Sequence, residues 1–364
     1  MRRRGLFRKA GAAVASTLAA PAIAQGLQEW RMVTSWPKGL PGLGAGVERL
    51  AARIGEMSGG RLTVKVYAAG ELVPAFECFG AVASGTAQLG HDASYYHLGK
   101  TEGAAFFTAF PFGFTAPEIE AWIKYGEGQK LWDELYAPFG IRAFLAGNTG
   151  TQMLGWFKKE IRSIEDLRGL KFRAPGNQGK ILEKLGVTPV ALPGGEIFPA
   201  LQSGAIDGAE WIGPYNDLAL GFYQVCRYYY SHGYHEPGAA LQLMINEAAW
   251  RSLTPDLQAI VKIAAEAANV DIWAEYNARS GPALRTLVEK HGVIVKGLPE
   301  DVLMACGEKS NEVMNEIYDS GDATVKKIVV DFLKFRAEVI PWTRIADQAY
   351  VNARRLPFKF GLKA

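Results

Sequence analysis

The chain has 364 residues, 49% hydrophobic and 21% charged, with a formal net charge of +3. That is ordinary globular composition, long enough for two lobes with cores of their own. Within residues 1–24 the charged side chains are Arg2, Arg3, Arg4, Arg8 and Lys9, all positive, so the remainder carries −2 and a basic nucleic-acid-binding protein is excluded.

Residues 1–24 read as a signal peptide. A basic start precedes small, apolar Gly11 to Ala24, which ends A-I-A before Gln25 and is too short to span a bilayer. R-R-G-L-F-R (Arg3 to Arg8) resembles a twin-arginine export signal, with a general secretory signal as the alternative. No later apolar run is long enough for a membrane helix. Cys78, Cys226 and Cys306 are far apart, with no CxxC spacing. An odd count allows at most one internal disulfide, and the pattern favours small buried thiols over a redox or zinc site.

Trp30 to Trp36 alternates and predicts a first strand. The turn P-K-G-L-P-G-L-G-A-G follows, then a helix from Val47 to Met57. Gly42, Gly44 and Gly46 give GxGxG, and Val47 holds the place where a dinucleotide fingerprint needs its third glycine. Arg61 to Ala68 predicts the second strand, and Ala75 to Ser84 a helix. The strand T-A-Q-L-G-H-D-A-S-Y-Y then delivers Tyr95 and Tyr96 to a pocket edge. Phe106 to Phe114 is aromatic and expected to pack between lobes. Glu118 to Tyr136 reads as one surface helix with an apolar face.

A second lobe is expected from near Ile141. Ser163 with Asp166 is a capping-box-like helix start. Leu170 to Arg173, Thr188 to Leu192 and Ala205 to Trp211 predict strands, with helices at Gly179 to Leu185 and Ile197 to Gln202. This alternation argues an α/β fold. F-G-A-V-A-S-G-T-A (Phe79 to Ala87) echoes F-P-A-L-Q-S-G-A-I (Phe198 to Ile206), as two related lobes would. After Pro255 the pattern is almost wholly helical: Asp256 to Glu289, Pro299 to Asp319 and Thr324 to Ile340. The expected organisation is a first lobe at 25–140 with later crossover segments, a second at 141–255, and a helical region at 256–364. The apolar stripe Val325, Ile328, Val329, Phe332 and Leu333 is expected to face a second copy of the chain.

N-T-G-T-Q-M, G-L-K-F-R-A-P-G and D-G-A-E-W-I-G-P-Y-N-D bring together an amide (Gln152), a guanidinium (Arg173) and a carboxylate beside an indole (Glu210, Trp211). Each ends a short apolar run next to glycine or proline, which points to a crevice for a small anion. Arg173 matches a carboxylate with two parallel hydrogen bonds. Glu210 would repel that anion unless a hard cation lies between them, with the Gln152 amide oxygen and a backbone carbonyl near Trp211 as further oxygen ligands. The alternative is that Glu210 simply pairs with Arg173. H-G-Y-H-E-P-G (His232 to Gly238) lacks the helix that HExxH zinc motifs require, though Glu236 can add an oxygen to the pocket. There is no GxSxG elbow.

T-S-W-P-K-G-L-P-G-L-G, V-K-V-Y-A-A-G-E-L-V-P-A-F-E, P-G-G-E-I-F-P-A-L-Q-S-G-A-I-D-G-A-E-W-I-G-P-Y-N-D and H-E-P-G resemble the substrate-binding proteins of TRAP (tripartite ATP-independent periplasmic) transporters, nearest the branch that binds 2-oxo acids and lactate. The resemblance implies a periplasmic, non-enzymatic α/β protein. Its two lobes would be joined by strands and a long helix, and would deliver a small organic acid to a membrane permease. It further implies closure on a carboxylate through Arg173. By motif match Gln152, Glu210 and Trp211 would belong to the site of substrate and of a sodium or calcium ion, with Glu236 close to both. Tyr95 and Tyr96, placed at a pocket edge by the strand pattern alone, would contact the substrate or else serve as half-buried packing. No organic cofactor is implied. Members of the branch can dimerise through extended C-terminal helices. G-N-Q-G-K after Arg173 departs from the more apolar, glycine-rich sequence of relatives and leaves the ligand open. Another organic anion (a dicarboxylate or sugar acid) is the alternative substrate. An exported lyase or hydrolase using Glu210 and Glu236 as acid and base is the alternative class.

Overall fold

The computed structural model describes residues 27–358 and residue 361, so the expected signal peptide lies outside the described residues. β1 (Gln28–Thr34) leads into α1 (Leu43–Met57), which buries Leu43, Val47, Leu50 and Ile54 at helical spacing and returns the chain to β2 (Leu62–Tyr67). α2 (Cys78–Ala83) precedes β3 (Leu89–Asp92). Ala116 to Tyr136 is two helices, α3 (Ala116–Tyr125) and α4 (Gly128–Tyr136), not the single surface helix that periodicity predicts. Gly126 breaks the chain in an extended conformation, and Trp122, Trp132 and Tyr136 are fully buried. β4 (Ile141–Asn148) follows.

Five short strands come next: β5 (Gly155–Phe157), β6 (Lys171–Arg173), β7 (Thr188–Val190), β8 (Gly208–Ala209) and β9 (Tyr228–Tyr230). Between them lie α5 (Gly176–Lys184), α6 (Gly194–Ser203) and α7 (Pro214–Leu220). The strand expected over Ala205 to Trp211 keeps only two ladder residues, because its far end turns away to form the site. β10 (Ala240–Asn246), α8 (Glu247–Ser252) and the 37-residue α9 (Pro255–His291) lead to β11 (Ile294–Lys296), a strand that the helical pattern conceals. α10 (Glu300–Ser320), α11 (Ala323–Ile345) and α12 (Asp347–Ala353) complete the described chain.

The strands form two sheets, ordered β2-β1-β3-β10-β4 and β11-β9-β5-β8-β6-β7. Each contains one internal strand antiparallel to both neighbours, β10 in the first and β5 in the second. The segment 141–255 is therefore shared between the sheets: β4 and β10 belong with residues before 141, and the expected boundary near Ile141 shifts to beyond Asn148. The chain crosses between lobes at 149–154 and 231–239, and a third time through α9. Two backbone hydrogen bonds tie the first two crossings together, Thr149 N to Ala239 O (3.0 Å) and Gln152 N to Glu236 O (3.1 Å). α9 lies against α1 and β4 of the first lobe and α7 of the second. The internal echo is structural. α2 and α6 are each followed by a left-handed glycine, Gly85 (φ 75°) and Gly204 (φ 79°), and then by a strand that carries site residues at its end.

One expectation about packing is narrowed and another corrected. Phe106, Phe107, Phe110 and Phe114 pack chiefly on Trp122, Trp132 and Phe332 of the first-lobe side, and Phe112 is the ring of the segment that meets a crossing between lobes, stacked on Tyr234 at 4.9 Å. Val325, Ile328, Val329 and Phe332 are buried against this same cluster, so the α11 stripe is covered by its own chain and only Leu333 of the group is exposed. Helical spacing reports that a face is buried, not which partner buries it. Cys78, Cys226 and Cys306 are all buried free thiols. Among the described residues no helix is long and apolar enough to cross a membrane. Phe107 stacks between Trp122 (centroids 5.3 Å apart) and Trp132 (4.8 Å) and is fully buried. Phe107→Ala is expected to destabilise the protein by about 3–5 kcal/mol in urea denaturation, since the surrounding rings cannot collapse into the void.

Candidate functional site

The parallel pairing of β6 with β8 sets Arg173 opposite Ala209, so Glu210 emerges beside the arginine. Arg173 Nη1 donates to the Glu210 backbone oxygen (3.1 Å) and to Glu210 Oε1, while Nε donates to Leu192 O (3.0 Å). Both side chains are fully buried. Arg173 Nη2 and Glu210 Oε2 have no hydrogen-bond partner. One half of the guanidinium fork is thus committed to the protein and the other is open.

The two crossings supply the next residues. Gln152 Nε2 donates to Glu236 Oε2 (2.6 Å) and Thr149 Oγ1 (3.0 Å), which orients its amide and leaves Gln152 Oε1 without a partner. His235 Nε2 lies 3.4 Å from Glu210 Oε2 but makes no hydrogen bond with it. Glu210, His235 and Glu236 each present an atom within 4.8 Å of the others. Orphaned buried oxygens on Gln152 and Glu210, beside a second carboxylate, are a donor set suited to a hard cation.

Aromatic rings close the site. Trp211 lies over the Arg173 guanidinium at 5.1 Å, and its ring packs so closely on Gly194 that no side chain would fit there. Tyr95 and Tyr96 meet edge to face, with their hydroxyls beside Glu236 and Arg173 respectively. Trp36 bridges Tyr96 (6.1 Å) and Trp211 (6.3 Å). It donates Nε1–H to His91 Nδ1 at 2.9 Å, which leaves the proton of a neutral imidazole on Nε2, facing Ala146 O. Burial lowers the His91 pKa in keeping with that neutral form.

Burial pushes the Glu236 carboxyl well above the usual carboxylate range, and the charge of Glu210 pushes it further against the opposing pull of Arg173. Burial raises Tyr95 and Tyr96 as well. Burial opposes the Arg173 charge, yet the attraction of Glu210 and its neighbours leaves that pKa raised. One guanidinium therefore faces two buried carboxyls, and with both ionised the site is short of positive charge.

All the residues singled out from the sequence (Tyr95, Tyr96, Gln152, Arg173, Glu210, Trp211 and Glu236) converge here. The ion pair weighed as the alternative for Glu210 is present, but it occupies only one of the two carboxylate oxygens. Sequence reasoning did not single out His235, Trp36, Asn177, Gln178, Asn216 or Asp217 for a role. His235 adjoins Glu236, and the other five lie within or beside motifs already quoted, but nothing in one dimension aims their side chains. Asn216 is fully buried and joins three parts of the molecule. Its Oδ1 accepts from Trp211 Nε1 (3.2 Å) and Tyr276 OH (3.0 Å), and its Nδ2 donates to Pro41 O (2.7 Å).

Two lobes enclosing a buried, anion-seeking centre define a solute-binding protein. The chain belongs to the bacterial extracellular solute-binding proteins of family 7, whose model matches residues 32–321. It is 42% identical over 323 residues to the monocarboxylate 2-oxoacid-binding periplasmic protein of Nostoc sp. strain PCC 7120, covering 89% of this chain and 88% of that one. The TRAP transporter solute-binding protein of Bordetella bronchiseptica RB50, a mixed-occupancy dimer with copurified calcium and picolinate, superposes with a TM-score of 0.88 at 38% identity, covering 90% and 97% of the two chains. That of Pseudoalteromonas atlantica T6c, with bound sodium and pyruvate, gives 0.87 at 39% identity, covering 92% and 100%. The family is one of receptors, so the acid–base enzyme reading of Glu210 and Glu236 is set aside.

Asp217 holds the loop that carries Trp211. It accepts from Tyr229 OH (2.7 Å), Trp156 Nε1 (2.9 Å) and the backbone N–H groups of Gly213 (3.2 Å) and Ile212 (3.4 Å). Burial pushes its carboxyl up to about 7 despite those four donors. The folded chain thus binds this proton more tightly than the unfolded one. The associated stability is fully present below the ordinary carboxylate range and is lost as pH rises through about 7. In urea denaturation the stability difference, wild type minus Asp217→Asn, is expected to decrease between about pH 5 and pH 8. A difference independent of pH would contradict it.

Proposed function

We propose that this chain is the periplasmic receptor of a TRAP transporter and binds a small 2-oxo or 2-hydroxy monocarboxylate together with a sodium or calcium ion. The observation that carries the reading is the pairing of the open Arg173 Nη2 with the orphaned buried oxygens Glu210 Oε2 and Gln152 Oε1. A substrate carboxylate would accept from the free half of the guanidinium. Glu210, Gln152, Glu236 and the Trp211 backbone oxygen would hold the cation, which supplies positive charge between the carboxylates. The charges support this. One guanidinium against Glu210, Glu236 and a monocarboxylate leaves an excess of two negative charges. A divalent ion cancels them; a monovalent ion leaves one, which Glu236 can remove by keeping its proton. The calcium, sodium, picolinate and pyruvate of the similar structures, and the 2-oxoacid ligand of the Nostoc protein, agree with the reading.

Closure follows from where the residues sit. Gln152 and Glu236 belong to the two crossings, Arg173 and Glu210 to the second lobe, and Tyr95 and Tyr96 to the first. A ligand that touches all three groups makes contacts in the closed state that an open state lacks, and so shifts the equilibrium. The decisive experiment is calorimetric titration of pyruvate into exhaustively chelated, sodium-free protein, repeated with calcium and with sodium. Affinity for pyruvate is expected to rise with the cation, and affinity for the cation to rise by the same factor with pyruvate. Arg173→Ala is expected to lose roughly 2–5 kcal/mol of pyruvate binding with an unchanged circular dichroism spectrum. Identical affinity under all ionic conditions would leave Glu210 as a partner of Arg173 alone.

The dimer belongs to this proposal in altered form. With the α11 stripe covered, the distal tail offers an exposed apolar surface to a second copy. There Trp342 (64% exposed), Ile345 (71%), Tyr350 (67%) and Leu356 (62%) are apolar and exposed. Light scattering at micromolar concentration is expected to give twice the chain mass, and truncation before Trp342 to give a monomer that still binds its ligand.

A further inference from the structure

Asn177 and Gln178 are 3% and 2% exposed, and none of their four side-chain polar atoms has a hydrogen-bond partner. Buried carboxamides are almost always paired, because an unpaired donor or acceptor has given up water for nothing. These two stand at the start of α5, four and five residues beyond Arg173. The helix start they occupy adjoins the ligand chamber. A methyl group built on Gly176 would lie 3.2 Å from the Tyr95 ring, so the first turn of α5 abuts the tyrosine wall. Gln178 lies beside the Tyr234 hydroxyl, within side-chain hydrogen-bonding reach but outside regular hydrogen-bond geometry. The ring of Tyr234 in turn meets that of His235 at 5.9 Å, next to Glu236.

Behind Gln178 the polar group within reach is the Tyr234 hydroxyl, which also meets Cys306. The cavity adjoining Tyr234 offers only about 10 Å³, the lower limit for one water, and its other walls include Leu154, Phe172, Val302 and Cys306. The unpaired atoms therefore point to a partner that arrives with the solute.

We propose that Asn177 and Gln178 form a polar subsite that reads the carbon chain of the bound 2-oxo acid beyond its oxo group, selecting a hydroxylated chain over an apolar one. This rests on the function proposed above and names the substrate class within it. A carboxamide offers a donor and an acceptor, so a ligand hydroxyl can be bonded in both senses. A methyl group of the same size would leave the carboxamides desolvated and unpaired, a penalty that discriminates more sharply than a change of bulk.

The test is calorimetry of the full exported chain, saturated with calcium, against pyruvate, 2-oxobutyrate and hydroxypyruvate. The last two differ by a methyl against a hydroxyl at one position. Wild type is expected to bind hydroxypyruvate at least about tenfold more tightly than 2-oxobutyrate. Asn177→Leu and Gln178→Leu are each expected to shrink that ratio, and the double variant to abolish or invert it. Melting temperature and circular dichroism check folding, and Asn177→Ala with Gln178→Ala read the same ratio if the leucine variants fail to fold. Equal wild-type affinities for the two acids, or a ratio unmoved in the folded variants, would overturn the subsite and leave the carboxamides to ordered water. Failure of all three acids to bind would instead strike the proposed function, and the subsite with it.

Discussion

A guanidinium and a carboxylate, both withdrawn completely from water, set the terms for the rest of the molecule. Placing Arg173 and Glu210 in the interior costs more desolvation than their mutual attraction alone returns, so such a pair is weak evidence for stability. What the arrangement provides is a fixed field. Three of the Arg173 hydrogen bonds end on Leu192 O and the two Glu210 acceptors, so its fork cannot turn away, and the Trp211 ring lies across it. The unspent valence, one Nη2 donor and one carboxylate oxygen, faces the place where a solute would lie.

The topology explains why such a centre can also sense closure. In each sheet the internal antiparallel strand, β5 or β10, directly adjoins one of the two crossings, and those crossings are hydrogen-bonded to one another. Gln152 and Glu236 lie on the crossings themselves, so a ligand that engages them acts on the connection between lobes and not on one lobe alone. Asn216 extends the linkage, joining Trp211 in the second lobe to the Pro41 turn of the first and to Tyr276 on the long helix. Arg49 of α1 pairs with Asp271 and Glu275 of α9, and Tyr215 of α7 donates to Glu275, so α9 is clamped on both sides. Any rearrangement that separated the lobes would have to give up those of these contacts that span them.

The sequence was most informative where local chemistry decides conformation. Periodicity located the long helices, the Ser163–Asp166 capping box is present as read, and the echo between Phe79–Ala87 and Phe198–Ile206 reflects two helix–glycine–strand units. It misled where a pattern is compatible with more than one partner. An amphipathic stripe on α11 is the same string whether a second copy or the first lobe's phenylalanines cover it. Ala116 to Tyr136 keeps helical spacing through a break because Gly126 costs a helix little in periodicity while releasing the backbone to turn.

The residue types of the site were legible in one dimension, because arginine before A-P-G, glutamate before tryptophan and glutamine after N-T-G each mark a strand end with chemistry to present. Their family followed from motifs spread over most of the described chain. Tertiary structure alone decided which atoms remain unpaired. That only one oxygen of Glu210 is held by Arg173, that Gln152 turns its amide nitrogen to Glu236 and its oxygen inward, and that Asn177 and Gln178 are buried without partners depend on contacts between residues tens of positions apart. Hydrogen-bond satisfaction is a property of three-dimensional neighbours, and spacing along a chain carries no record of it.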